Sequence, residues 1–192
     1  MEAELQQQLE DLRRNPKRWS GVLRSNRSNN YKGSELMIVN KGTMESTLFA
    51  TNHGRRGCLS AITALEKSGP LPPFRFSNGL GKVARDSVHS VVEGKPMPDL
   101  MQGLTAVGTF SSTRKQEFKA ERIVLSGHEF ANGAEDIMMN ALINDGDATW
   151  RARKALLDAE YTHVGVAVAN HPETGENGAV VLMIVSEVWA DK

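Results

Sequence analysis

Histidine, cysteine and clustered carboxylates are the side chains from which this 192-residue chain could build hydrolytic or metal chemistry, and it carries five His and one Cys. Gly127-His128-Glu129 sets an imidazole beside a carboxylate. Neighbours on a loop seldom close on one ion, and a lasting zinc site normally needs at least three ligands, so the segment reads as surface loop. His171-Pro172-Glu173 falls in a Gly-containing turn, and His163 alternates with Tyr161 at a strand start, as a solvated edge residue would. Asp145-Gly146-Asp147 lacks the further oxygens and the terminal Glu of a calcium loop; capping a helix explains it. His89 sits one residue off the apolar stripe of its helix and reads as a half-exposed helix histidine. Cys58 has no His close in sequence and reads as a small hydrophobe rather than a nucleophile.

Composition excludes more than it specifies. Lys and Arg total 23, as do Asp and Glu, so no global field argues for nucleic acid or an anionic membrane. A single Cys leaves no internal disulfide framework and points to a reducing compartment. The opening MEAELQQQLEDLRRNP is acidic and amphipathic, without an apolar signal core, and no run reaches transmembrane length. The expected address is the cytoplasm.

The positioning elements follow from periodicity. Leu5, Leu9 and Leu12 mark one face of a first helix, and Asn15-Pro16 restarts a second through Trp19, Val22 and Leu23. Residues 24–57 are polar and mixed and read as a long connection, with Leu36-Met37-Ile38-Val39 as a short packed piece. Leu59, Ile62 and Leu65 give a helix ended by Gly69-Pro70; Ser77 caps the next, whose stripe is Leu80, Val83, Ala84, Val88 and Val91, closed by Gly94. Residues 95–118 show little periodicity, Glu121–Leu125 reads as a short strand or turn, and Ala134–Ile143 as a helix. In Val164–Ala169 one face is Val and the other Gly or Ala, which lets a helix approach closely; Ala179–Val185 is apolar throughout, as a strand covered on both faces is. The expected fold is α/β: a three-layer α-β-α sandwich around a small, mostly antiparallel central sheet. Residues 1–57 are expected partly outside the core and residues 58–192 to form the domain proper.

The order of these pieces resembles a CAP-superfamily domain, the SCP-like or pathogenesis-related-1 type, in its cysteine-free bacterial and protist branch. AITALEKSGPLPPFRFSNGLGKVARDSV, AEDIMMNALINDGD and RARKALLDAEYTHVGVAVA carry the likeness, together with LEDLRRNPKRWSGVL at the start. The stretch from Gly94 to Gly133 matches poorly. The resemblance implies a cleft lined by two His and two Glu that can hold a divalent metal. Here the second His position holds Ala152, no His occurs between Ser90 and Gly127 for the first, one Glu position falls near Asn144, and Glu121 is the remaining carboxylate. The set Glu121, Asn144 and Ala152 therefore reads as a vestigial cleft, with no cofactor and no metal expected.

A chain that lost ligand and general base together is expected to work through its surface, as a non-catalytic structural or protein-interaction subunit of a larger intracellular assembly, cytoskeletal or ciliary complexes being examples. Trp19, Arg55 and Arg56 are the candidate interface anchors; Trp19 and Trp189 fit a core position as well. Gly54-Arg55-Arg56-Gly57, and Arg13-Arg14 with Lys17-Arg18, are small basic clusters that read as solvated faces. The alternative is a small-molecule or lipid binder, or a residual hydrolase, using a remodelled cleft, with Met138-Met139 lining an apolar pocket instead of filling core.

Overall fold

The computed structural model describes residues 1–40, 42–110, 118–126, 133–170, 177–186 and 189–191. Two helices open it, α1 (Glu2–Arg14) and α2 (Pro16–Leu23), meeting at Asn15 with Pro16 in the first turn of the second. Their apolar stripes go inward as the spacing requires: Leu5, Leu9, Leu12, Trp19 and Leu23 are fully buried. The core runs across residue 57, since these side chains cluster with Cys58, Ala61, Ile62 and Leu65. The first helices are thus part of the main core and not a partly detached extension.

The expected long connection at 24–57 is corrected. A π-helical turn (Arg24–Ser28) leads into an antiparallel meander, β1 (Tyr31–Lys32), β2 (Glu35–Val39) and β3 (Ser46–Ala50). Leu36 and Ile38 are buried while Met37 and Val39 are half-buried, so the strand alternates although all four residues are apolar. Polar turn residues on either side masked that alternation.

Helix α3 (Gly54–Lys67) follows, then the short β4 (Arg75–Phe76) and α4 (Asn78–Val92). Ser77 caps α4 as expected, accepting the Leu80 N–H at 3.0 Å. The aperiodic stretch after Gly94 contains one more helix, α5 (Leu100–Val107), started by Asp99 accepting the Gln102 N–H. The chain then runs through β5 (Gly108–Phe110), β6 (Ala120–Ser126), α6 (Ala134–Ile143), α7 (Arg151–Leu156), β7 (Tyr161–Asn170), β8 (Asn177–Ser186) and β9 (Trp189–Asp191).

The central sheet has the order β4-β7-β8-β6, with β4 parallel to β7 and the other pairs antiparallel. Strand β7 explains the layering. Val164, Val166 and Val168 point to the layer built by α1, α6 and α7, with α2 and α3 beyond; Ala167 and Ala169 face α4 and α5. Gly165 is where α4 comes closest: a Cβ there would lie 2.2 Å from the Leu80 carbonyl carbon and 2.3 Å from the Gly81 nitrogen. Only glycine admits that approach. The result is the expected three-layer sandwich. Among the described residues no helix is long and apolar enough to cross a membrane.

Candidate functional site

The turn between α6 and α7 joins two of the three expected cleft positions, Asn144 and Ala152. Asn144 ends α6 in the left-handed region (φ 51°, ψ 48°), a conformation that asparagine tolerates better than most. Its Oδ1 accepts the Ala152 N–H at 2.7 Å. Two positions of the expected cleft therefore meet, but as a helix cap. Ala152 is only 5% exposed, in one cluster with Ala155, Leu156 and Ile143. Glu121 lies on β6 in register with Ile184, half-buried, on the same sheet face as Ile123. Its carboxylate and burial together raise the Tyr161 phenol, burial contributing most.

Around this turn the carboxylates act as braces. Asp145 accepts the N–H groups of Asn52 (2.6 Å) and His53 (2.8 Å), tying the end of β3 to the α6–α7 turn. Asp147 accepts from the Thr149 hydroxyl, the Thr149 N–H and the Arg151 N–H. The Thr149 hydroxyl is the largest influence holding its carboxyl well below the usual range. Asp145-Gly146-Asp147 is thus a capping turn, as expected. Among the described residues no three His, Cys, Asp or Glu side chains gather as a metal site would.

Beside the turn stands a stack that the sequence did not reveal. The His53 ring lies 4.7 Å from the Trp150 ring, and the Arg153 guanidinium sits 4.6 Å from the Trp150 ring centroid. Trp150 itself has φ 56°, a strained setting for a bulky residue. Gly57 makes room, since a Cβ there would lie 3.2 Å from the His53 Cβ, with Ile143 and Trp150 at ordinary contact distance. Arg153 is 4% exposed; its Nη1 donates to the Leu142 carbonyl (3.2 Å) and its Nη2 to Ser60 Oγ (3.0 Å). Burial lowers its pKa. The signal was present but quiet: Arg153 and Leu156 lie three apart, on the inward side of a helix read only for its missing His.

Arg153 also floors an open groove of about 500 Å³ along α3, lined by Arg56, Leu59, Ser60, Thr63 and Lys67. Of the candidate anchors, Arg55 and Arg56 are exposed. Trp19 is corrected: it is fully buried, its indole N–H donating to Asp11 Oδ2 at 3.0 Å, because α2 folds back onto α3 and presses that face into the core. Trp189 is buried too, bonded to Ser77 Oγ at 3.2 Å. Met138 and Met139 are core side chains. Within the basic cluster at 13–18 only Arg13 is corrected, while Arg14, Lys17 and Arg18 are exposed as expected. Arg13 is fully buried, donating to the carbonyls of Pro72, Leu156, Asp158 and Tyr161, and Arg18 pairs with Asp11. Cys58 is buried, and burial pushes its thiol up to about 11, so it stays protonated and unreactive. His89 is exposed and His163 half-buried on an internal strand. Gly127-His128-Glu129 and His171-Pro172-Glu173 lie outside the described residues.

An α-β-α sandwich whose antiparallel sheet is entered through a helix, a capped turn and the YTHVGVAVA strand defines the class of this protein. The model of the cysteine-rich secretory protein family, CAP, matches residues 48–185, and the chain belongs to that family. It is similar to a cysteine-rich secretory protein of Staphylococcus aureus subsp. aureus Mu50, at 14% identity and a TM-score of 0.43, over 74% of this chain and 42% of that one. The chain thus spans less than half the length of that protein. No curated protein matches it.

Proposed function

We propose that this chain is a CAP module without a working family cleft, acting as a structural or protein-interaction subunit of a larger intracellular assembly; a cytoskeletal or ciliary complex is the narrower form of the proposal. The observation behind it is Ala152. Its methyl group supplies neither a metal ligand nor a base, its N–H is taken by Asn144, and its side chain is core. Asn144 is an amide committed to that cap, which leaves Glu121 as the one carboxylate of the set. A single carboxylate beside a buried phenol does not make a zinc site, nor does it pair a nucleophile with a base.

The test is the native mass. Material taken gently from the source cell is expected to elute with other chains, well above the 21.1 kDa of this one. Light scattering that finds only a 21.1 kDa species overturns the reading. Calorimetric titration with Zn²⁺ is expected to give no stoichiometric uptake; a one-to-one isotherm would contradict the loss of the cleft.

A further inference from the structure

The groove between α3 and α7 differs from other buried polar sites of the molecule in how its charge is balanced. Arg13 is caged by four carbonyl oxygens, and Arg27 is paired with Asp136 at 2.6 Å. Arg153 has a carbonyl, a hydroxyl and an aromatic face, all neutral. A guanidinium this deeply buried normally meets a carboxylate or a full set of acceptors, because desolvation is costly otherwise. Its neighbours along the groove add to the imbalance. Arg56 and Lys67 are exposed, line the same groove and stand eleven residues apart on α3, about 16 Å at 1.5 Å per residue. No acid lines the groove among the described residues, and Glu66, next to Lys67 in sequence, pairs with Arg24. Between the two cations the wall is apolar or hydroxylic, with Leu59 42% exposed beside Ser60 and Thr63.

We propose that this groove docks an acidic amphipathic segment of a partner protein. One carboxylate would meet Arg153 and Ser60 at the floor, flanking carboxylates would meet Arg56 and Lys67, and an apolar side chain would cover Leu59. The reasoning is charge complementarity: three cations on one floor and its rims, no free acid among the described groove residues, and one exposed leucine, Leu59, between the cations. A carboxylate can accept two parallel bonds from a guanidinium, which a neutral partner cannot match. The proposal rests on the interaction-module reading and names the chemistry of its partner.

The experiment is an NMR titration of the ¹⁵N-labelled chain with a synthetic fifteen-residue amphipathic helix bearing Glu and Leu on one face, beside the same peptide with every Glu replaced by Gln. The amides of Ser60, Thr63 and Arg153 are expected to shift saturably, with the Glu peptide binding at least tenfold tighter. Arg56→Glu with Lys67→Glu, both on exposed side chains and chosen to leave the fold intact, is expected to abolish those shifts. Equal binding of the Gln peptide, shifts confined to other surfaces, or unchanged binding by the double variant each overturns the proposal. So does inorganic phosphate that reproduces the shifts and displaces the peptide, since the groove is then a small-anion site. The two readings fail separately. If the double variant still enters the native assembly, the groove falls and the module stands; if the wild-type chain elutes alone, the module reading falls.

Discussion

Arg13 and Arg153 are two helix-borne arginines, both under 5% exposed and both stacked on an aromatic ring, Phe74 in one case and Trp150 in the other. Arg13 is a finished brace. It joins α1 to the Pro72 corner and to the chain entering β7, and burial brings its pKa down to about 10 with Asp158 opposing. Arg153 is unfinished, with two neutral acceptors and an open groove beyond. The lesson is that burial alone does not mark a functional charge. What distinguishes the two is how many acceptors the fold supplies.

Arg13→Met breaks or sharpens that contrast most strongly. It strips four buried or half-buried carbonyls of their donor and is expected to cost about 3–5 kcal/mol, the range for removing one member of a buried polar network. Urea titration would show it, and Tm would fall by roughly 10 °C for a domain of this size. Arg153→Met removes an unbalanced charge and strips one buried carbonyl and the part-buried Ser60 hydroxyl of their donor, half as many acceptors as at Arg13, so it is expected to cost about 1–2 kcal/mol. Equal losses at the two positions would erase the distinction.

The next effect lies in the closed part of the fold. Gly165→Ala drives a methyl into the α4 backbone at Leu80 and Gly81, where no flexible side chain can yield. A cost of about 3 kcal/mol is expected from overpacking, read as a lower urea midpoint with an unchanged slope. A near-neutral result would mean that α4 slides freely on the sheet, and that the closed region is as forgiving as the groove.

At the turn between the two regions the effects shrink. Asn144→Ala loses the cap on Ala152 and keeps the left-handed backbone, for about 1–2 kcal/mol. Asn144→Asp retains an acceptor there and is expected to stay near wild type. If Asn144→Asp instead gained Zn²⁺ affinity, the turn would be a dormant ligand site rather than a cap.

How much of this was legible divides along the same line. The Val and Gly/Ala faces of β7 state the sandwich outright, because a period of two with small residues on one side fixes which face a helix can approach. Ser77 and the α4 stripe announce their own boundary. The β1–β3 meander was hidden, since four consecutive apolar residues show no alternation until neighbours bury two of them. Trp19 and Arg13 were misjudged for a related reason: residue type alone suggests anchor or solvated charge, and only the fold shows that α2 turns back and that four carbonyls converge. Ala152 and Asn144 were singled out as cleft positions, but their hydrogen bond spans eight residues through a left-handed turn, and spacing does not disclose that. Arg153 escaped because nothing in its immediate sequence shows that its acceptors are neutral.

The smallest expected effect is also the most conditional, and it lies at the exposed end of α7. Asp147 has a folded-state pKa well below its ordinary 3.8, first through the Thr149 hydroxyl and then through backbone N–H donors. The folded state therefore binds fewer protons than the unfolded chain wherever the unfolded carboxyl titrates, so stability rises with pH across that window. Its contribution is complete above about pH 4 and is lost as pH falls through the folded-state value. Asp147→Asn keeps one acceptor for Thr149 and is expected to lower stability modestly at neutral pH, the gap from wild type closing as the solution is acidified. Urea midpoints at about pH 7, 4.5 and 2.5 would show the convergence. A gap that persists undiminished at the lowest pH would mean that the amide disturbs the turn by shape, and that the carboxylate's charge does not hold α7 in place beside the groove.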